Sequence, residues 1–167
     1  MKGKAKPAKR GPKAKAKRAP EPVHGKPIDI LLVDDNPEDV ELTLEALRDG
    51  RLENRPHVAR DGVEALEYLR KQGRFKDAIT PDLVFLDLNM PRMNGREVLE
   101  EIKGDRNLKR IPVIILTTSK AEEDVLRSYQ LQAAAYVTKP VDFEQFVQAI
   151  HALRDFWFVV VRFPPKP

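Results

Sequence analysis

The sequence predicts an α/β domain with a parallel sheet at its centre and helices on both faces. Two patterns lead there. Short apolar runs that do not alternate with polar residues, Leu83–Leu86 being the clearest, have the composition of strands buried on both sides. Between these runs stand stretches with apolar residues at helical spacing. The alternation repeats five times, as parallel strands joined by crossover helices require.

In chain order, Ile28–Val33 reads as the first strand and is followed by Asp34-Asp35-Asn36-Pro37, where Asn36 suits an N-cap and Pro37 the first helical position. That helix runs to about Asp49, with Val40, Leu44 and Leu47 on one face, and Gly50 stops it. A short strand over 57–59 leads through Asp61-Gly62 into a helix striped by Val63, Leu66 and Leu69, ending near Gly73. The third strand ends on Asp87. Pro91, Asn94 and Gly95 close it, and a helix over 95–103 turns Val98, Leu99 and Ile102 inward. Residues 112–116 form a fourth strand ending in Thr117-Thr118-Ser119, with Ser119 placed to cap a helix over 121–131. A fifth strand over 134–138 stops at Lys139-Pro140. The last helix begins at Asp142 and carries Phe143, Phe146, Val147, Ile150 and Leu153. Five strands favour a doubly wound sheet in the flavodoxin-like order 2-1-3-4-5.

Charge divides the chain. Residues 1–27 carry ten Lys or Arg against one Glu, a net of +9, whereas all 167 residues sum to +4, which leaves −5 for residues 28–167. Apart from Met1, the first 27 residues hold one sizeable aliphatic, Val23, and read as a disordered basic tail, able to touch nucleic acid or an anionic surface through charge alone. With no cysteine there is no disulfide framework and no thiolate chemistry. No run of apolar residues is long enough to span a membrane and no secretory h-region occurs, so the expectation is a cytoplasmic protein.

In a parallel sheet the carboxyl ends of the strands share one edge, where ligands bind. Asp34 and Asp35 follow the first strand, Asp87 the third, Thr117 the fourth and Lys139 the fifth. Singly each has an ordinary reading: an acidic pair suits a helix N-terminus, a strand-end Thr caps a turn, and a Lys before Pro is exposed. Brought together, three carboxylates repel one another unless a cation offsets them. Mg²⁺, bound by carboxylates and a backbone carbonyl, is the natural choice. Asp87 is then a nucleophile toward phosphorus, since an aspartate is ionised at neutral pH and needs no general base. Mg²⁺ and Lys139 would neutralise the charge in transfer while the Thr117 hydroxyl donates to a phosphoryl oxygen.

These stretches, LLVDDNP, FLDLNMPRMNG, IILTTS and YVTKP, resemble a response regulator receiver domain over about residues 28–153. The resemblance implies that Asp87 is the phosphoacceptor, that Asp35 binds Mg²⁺ directly with Asp34 beside it, and that Asn89 contributes its backbone carbonyl. It implies phosphoryl contacts from Thr117 and Lys139, a switch at Tyr136 whose rotamer follows Thr117, and a cis peptide at Lys139-Pro140. DNPEDVELT, DGVEALEYLR, LTTSKAEEDVLRSY, KPVDF and DFWFVVVRFP are similar to single-domain receivers that partner cyanobacterial phytochromes. That narrower likeness implies a histidine kinase of the phytochrome type as phosphodonor, and a homodimer through the fourth helix, fifth strand, fifth helix and C-terminal extension. Three features depart from or tune the pattern. Gln132 stands where receivers often have Gly, so a positive φ there would cost roughly 1 kcal/mol; Thr118 replaces a smaller residue; and Asn89 and Ser119 occupy positions that tune dephosphorylation.

Residues 156–163 are more apolar than a chain end needs and either fold back on the core or pack against a second chain. The division expected is a tail over 1–27, a receiver over 28–155 and an extension over 156–167, neither flank being long enough for an output domain. The expected function is a stand-alone phosphorelay switch that signals by altered protein contacts and, beyond its own phosphorylation and dephosphorylation, is not an enzyme. Two alternatives are a nucleic-acid-associated protein acting through the basic tail and a Mg²⁺-dependent aspartyl-phosphate phosphohydrolase. Against the latter, Asp87 follows the third strand rather than the first, and no general acid is evident.

Overall fold

In a computed structural model, the described residues are 3–8, 26–49 and 53–167. Most of the segment read as a disordered tail lies outside them; residues 3–8 are exposed and without regular structure. The order is β1 Ile28–Val33, α1 Pro37–Arg48, β2 Asn54–Ala59, α2 Gly62–Leu69, β3 Leu83–Leu86, α3 Gly95–Gly104, β4 Val113–Thr117, α4 Glu122–Gln130, β5 Ala135–Thr138 and α5 Phe143–Asp155. All neighbouring strands are parallel, in the order β2-β1-β3-β4-β5.

Alternate side chains of the central strands feed two separate cores, as the two-residue strand period demands. Leu31, Val33, Val84, Leu86, Val113 and Ile115 pack with Leu66 and Leu69 of α2 and Val98, Leu99 and Ile102 of α3. On the other face Ile30, Leu32, Phe85, Ile114 and Leu116 pack with Val40 and Leu47 of α1 and Phe146 and Ile150 of α5. The central strands β1, β3 and β4 are thus buried on both sides, which is why they carry no polar alternation.

Local chemistry sets the helix starts. Asn36 caps α1 by accepting from the backbone of Glu38 and Asp39, with Pro37 in the first turn. A reciprocal capping box joins Asn94 and Glu97 at α3. Gly95 is sterically required there: a Cβ would lie 2.1 Å from the Asp87 carbonyl oxygen. Its N–H donates to the Leu88 carbonyl at 2.9 Å, pinning α3 against the loop after β3.

Several expectations need correction. The strand β2 starts at Asn54, three residues before the apolar signal, because as an edge strand it tolerates Pro56 opposite Ile30. Ser119 is not the N-cap of α4, which is Ala121 with no side-chain bond; the Ser119 hydroxyl donates to Asp124 and accepts from the Ala121 N–H at 3.4 Å. The Lys139-Pro140 peptide is trans, since no peptide among the described residues is cis. A trans X-Pro bond is the intrinsically favoured form, by ~0.5–1 kcal/mol, and it still lets Lys139 reach the carboxylates described below. Gln132 does take a positive φ, 65°, so the loop before β5 accepts the left-handed conformation at a residue with a Cβ.

The helix α5 runs on into a π-helical turn, Phe156–Val160. Phe158 is fully buried in the α1/α5 core, while Phe156 and Val160 remain exposed. Trp157 stacks on Phe163 with centroids 6.2 Å apart. Lys166 then crosses to the amino-terminal edge of the sheet, where its Nζ donates to Asp29 at 2.8 Å. The apolar tail therefore covers its own core and still leaves two apolar side chains outside. Among the described residues no helix is long and apolar enough to cross a membrane.

Candidate functional site

The carboxyl ends of β1 and β3 bring Asp34, Asp35 and Asp87 together, each offering an oxygen within 4.8 Å of the others. Asp34 is buried at the end of β1. Its N–H donates to the Ala59 carbonyl, and its Oδ1 accepts from the Asn36 N–H at 2.9 Å. Asp87 is held by its N–H donating to the Val33 carbonyl at 3.0 Å, while its Oδ1 accepts from the Asn89 N–H at 3.2 Å. Asp35 is exposed at the mouth.

Lys139 enters from the end of β5. Its backbone N–H donates to the Thr117 carbonyl at 2.7 Å, tying the ends of β5 and β4 together. Its Nζ lies 2.6 Å from Asp34 Oδ2, 2.9 Å from Asp39 Oδ2 and 3.5 Å from Asp87 Oδ2. Burial alone would lower the Lys139 pKa, but the hydrogen bond and charge of Asp34, then the charge of Asp87 and the bond to Asp39, raise it, so the ammonium stays charged. Burial pushes Asp34 upward, partly offset by Lys139 and the Asn36 N–H.

Asp39 is the member that sequence reasoning missed. It looks like a first-turn acid serving the α1 dipole, and only its placement one helical turn after the Asn36 cap, facing the sheet edge, marks it. Three carboxylates, Asp34, Asp39 and Asp87, surround one ammonium, with Asp35 beside Asp34 and Asp87 at the mouth, and the excess negative charge suits a small divalent cation. The donor set is all oxygen, as Mg²⁺ or Mn²⁺ needs.

Thr117 is fully buried at the end of β4, and its Oγ1 accepts from the Ser119 N–H at 3.4 Å. Tyr136 on β5 is half-buried and donates its hydroxyl to the Ser119 carbonyl at 2.9 Å; burial first of all raises its pKa. Asn89 is exposed beside Asp87 and Thr118 is exposed beyond Thr117. Chemically, this edge offers a buried carboxylate, Asp87, within an acidic cluster, a fixed ammonium beside it and a hydroxyl on the adjacent strand.

Comparison with known proteins agrees with that chemistry. Residues 30–151 match the response regulator receiver domain. Response regulator Rcp1 of Synechocystis sp. is 40% identical over 135 residues, which is 81% of this chain and 92% of that protein. The crystal structure of the Mn²⁺-bound form of Rcp1 superposes with a TM-score of 0.81, covering 83% of this chain and all of that one. The phosphorylated cyanobacterial phytochrome response regulator RcpA superposes with a TM-score of 0.82 at 42% identity, covering 84% of this chain and 100% of that one. This chain therefore belongs to the response regulator receiver domain family, the domains of two-component signalling that take a phosphoryl group on an aspartate.

Proposed function

We propose that Asp87 is the aspartate that receives the phosphoryl group, from a histidine kinase of the phytochrome type, and that the loaded domain signals by changing its protein contacts. The observation that carries this reading is the Lys139 ammonium, buried between Asp34, Asp39 and Asp87 at the carboxyl edge of the sheet. An Asp87 oxygen attacks phosphorus, the P–N bond to the donor imidazole breaks, and a P–O bond to Asp87 forms. Lys139, already within 3.5 Å of Asp87, meets the charge brought in. Thr117 turns its hydroxyl from the Ser119 N–H to a phosphoryl oxygen, and Tyr136 responds through its bond to the carbonyl of the same residue, Ser119.

Asp34, Asp35 and Asp87, with the Asn89 backbone carbonyl, would hold Mg²⁺, and Mn²⁺ in the Rcp1 relative supports a divalent ion here. When bound, that ion supplies Lewis-acid stabilisation of phosphoryl charge. No external substrate is turned over; loading and self-hydrolysis occur at the one residue. The cytoplasm is the fitting location for such a switch. Leu126 and Tyr129 on α4, Phe143 on α5, and Phe156 and Val160 beyond it are exposed apolar side chains that support a homodimer across this side.

Incubation of the full chain with acetyl phosphate and Mg²⁺, followed by intact mass and light scattering, tests the reading. Gain of one phosphoryl group, lost in Asp87→Asn and without divalent ion, supports it. Retention of the gain in Asp87→Asn, or sustained hydrolysis of a phosphate ester, overturns it.

A further inference from the structure

The helix α4 packs lightly, on β5 and through Leu131 at its end, and charge joins it to α3. Ser128 is its only buried residue, and the Ser128 hydroxyl has no hydrogen-bond partner. Leu126 and Tyr129 face outward. What joins α4 to α3 is a pair of ion pairs in matched register: Arg96 with Asp124, and Glu100 with Arg127. Residues one turn apart on α3, positive then negative, meet residues one turn apart on α4, negative then positive. Arg96 Nε donates to Asp124 Oδ1 at 2.8 Å, and the Ser119 hydroxyl donates to the other carboxylate oxygen. Arg96, then Ser119, hold the Asp124 carboxyl below the usual carboxylate range.

This network reaches the functional edge from both ends. Arg96 follows Gly95, whose N–H is bonded to the loop after Asp87. Ser119, anchored by Asp124, offers its N–H to Thr117 and its carbonyl to the Tyr136 hydroxyl. Tyr136 packs against the α2/α3 core in that arrangement.

We propose that Arg96, Glu100, Asp124 and Arg127 form a charge latch that fixes the loop between β4 and α4, so that the Ser119 carbonyl holds Tyr136 inward and the site is predisposed to phosphoryl binding. These are positioning residues. The inference rests on the reading of Asp87, Thr117 and Tyr136 given above. By linkage, whatever holds Tyr136 inward strengthens the binding that draws Thr117 inward.

The test uses the full chain labelled with fluorotyrosine. The three tyrosines give three fluorine resonances, and Tyr136→Phe assigns the one of interest. Beryllofluoride with Mg²⁺ serves as the phosphoryl mimic. Asp124→Ala is expected to weaken beryllofluoride binding about two- to fivefold, the range of partly exposed ion pairs, and to move the unloaded Tyr136 resonance away from its loaded position. Molar salt is expected to weaken binding more in the parent protein than in Asp124→Ala, the difference being the screened ion pairs. Arg127→Gln, on the outer exposed pair, should give a smaller change of the same sign and keeps the test open if Asp124→Ala does not fold. Equal or tighter binding in these variants with an unmoved Tyr136 resonance overturns the latch alone. Failure of the parent protein to bind beryllofluoride overturns the latch together with the functional reading.

Discussion

The Lys139 ammonium lies 2.6 Å from the Asp34 carboxylate although the two residues stand 105 positions apart, and both side chains are almost sealed from solvent, 4% and 3% exposed. Such a pair must be complete, because removing one partner strands the other charge. Lys139→Met leaves Asp34, Asp39 and Asp87 facing one another without a counter-ion. The expected cost is roughly 3–5 kcal/mol in urea unfolding without divalent ion. Mg²⁺ should recover part of it, and equal loss with and without Mg²⁺ would contradict a cation site at the cluster.

Burial, then the charge of Asp29, pushes the Tyr68 phenol up to about 12. The folded value lies above the ordinary ~10, so the stability contributed by the neutral phenol is whole below pH ~10 and is lost as pH rises through the folded value. Titration of tyrosinate absorbance should show late ionisation that Tyr68→Phe reduces, Tyr136 being held up by burial as well. Completion of all three ionisations at the ordinary value would contradict the burial of Tyr68 and its bond to the Ile79 carbonyl.

The C-terminal turn makes a sharp comparison possible within three residues. Phe158 is fully buried and Phe156 is half exposed. Phe158→Ala should cost about 3–5 kcal/mol and Phe156→Ala much less, read as midpoints of denaturant unfolding. Equal costs would mean that the turn does not pack on the α1/α5 core.

Backbone conformation gives a prediction of opposite sign. At φ 65° Gln132 occupies the left-handed region. Gln132→Gly should raise stability by up to about 1 kcal/mol, less whatever the freer unfolded chain takes back. Gly95→Ala should do the reverse, because its Cβ would meet the Asp87 carbonyl oxygen at 2.1 Å and displace the loop that carries Asp87. Thermal unfolding of both variants checks the pair, and destabilisation by Gln132→Gly would contradict the first half.

The parallel sheet was legible because the central strands are apolar runs, broken only by Asp29, that end on polar residues, its order because five such strands favour the flavodoxin-like arrangement, and the two core faces follow from the same runs. So was the convergence of Asp34, Asp35, Asp87 and Lys139, since a parallel sheet brings all strand ends to one edge. Other features depend on partners that no local pattern announces. Asp39 carries the same local signal as any first-turn acid. Asp29, the one polar residue of β1, is explained only by Arg55 and by Lys166, 137 residues away. The start of β2 was hidden because Asn54, Arg55 and Pro56 carry no apolar period, and the role of Ser119 because Asp124 competes for its hydroxyl. Whether the Lys139-Pro140 bond is cis cannot be read from a Lys-Pro pair, for which both isomers lie close in energy.

The most direct measurement is to load the full chain with acetyl phosphate and Mg²⁺, reduce the acyl phosphate with borohydride, and locate the resulting homoserine by peptide sequencing. The expected result is a single homoserine at position 87. Homoserine at position 34, 35 or 39, with residue 87 unmodified, would contradict the assignment of Asp87 as the acceptor.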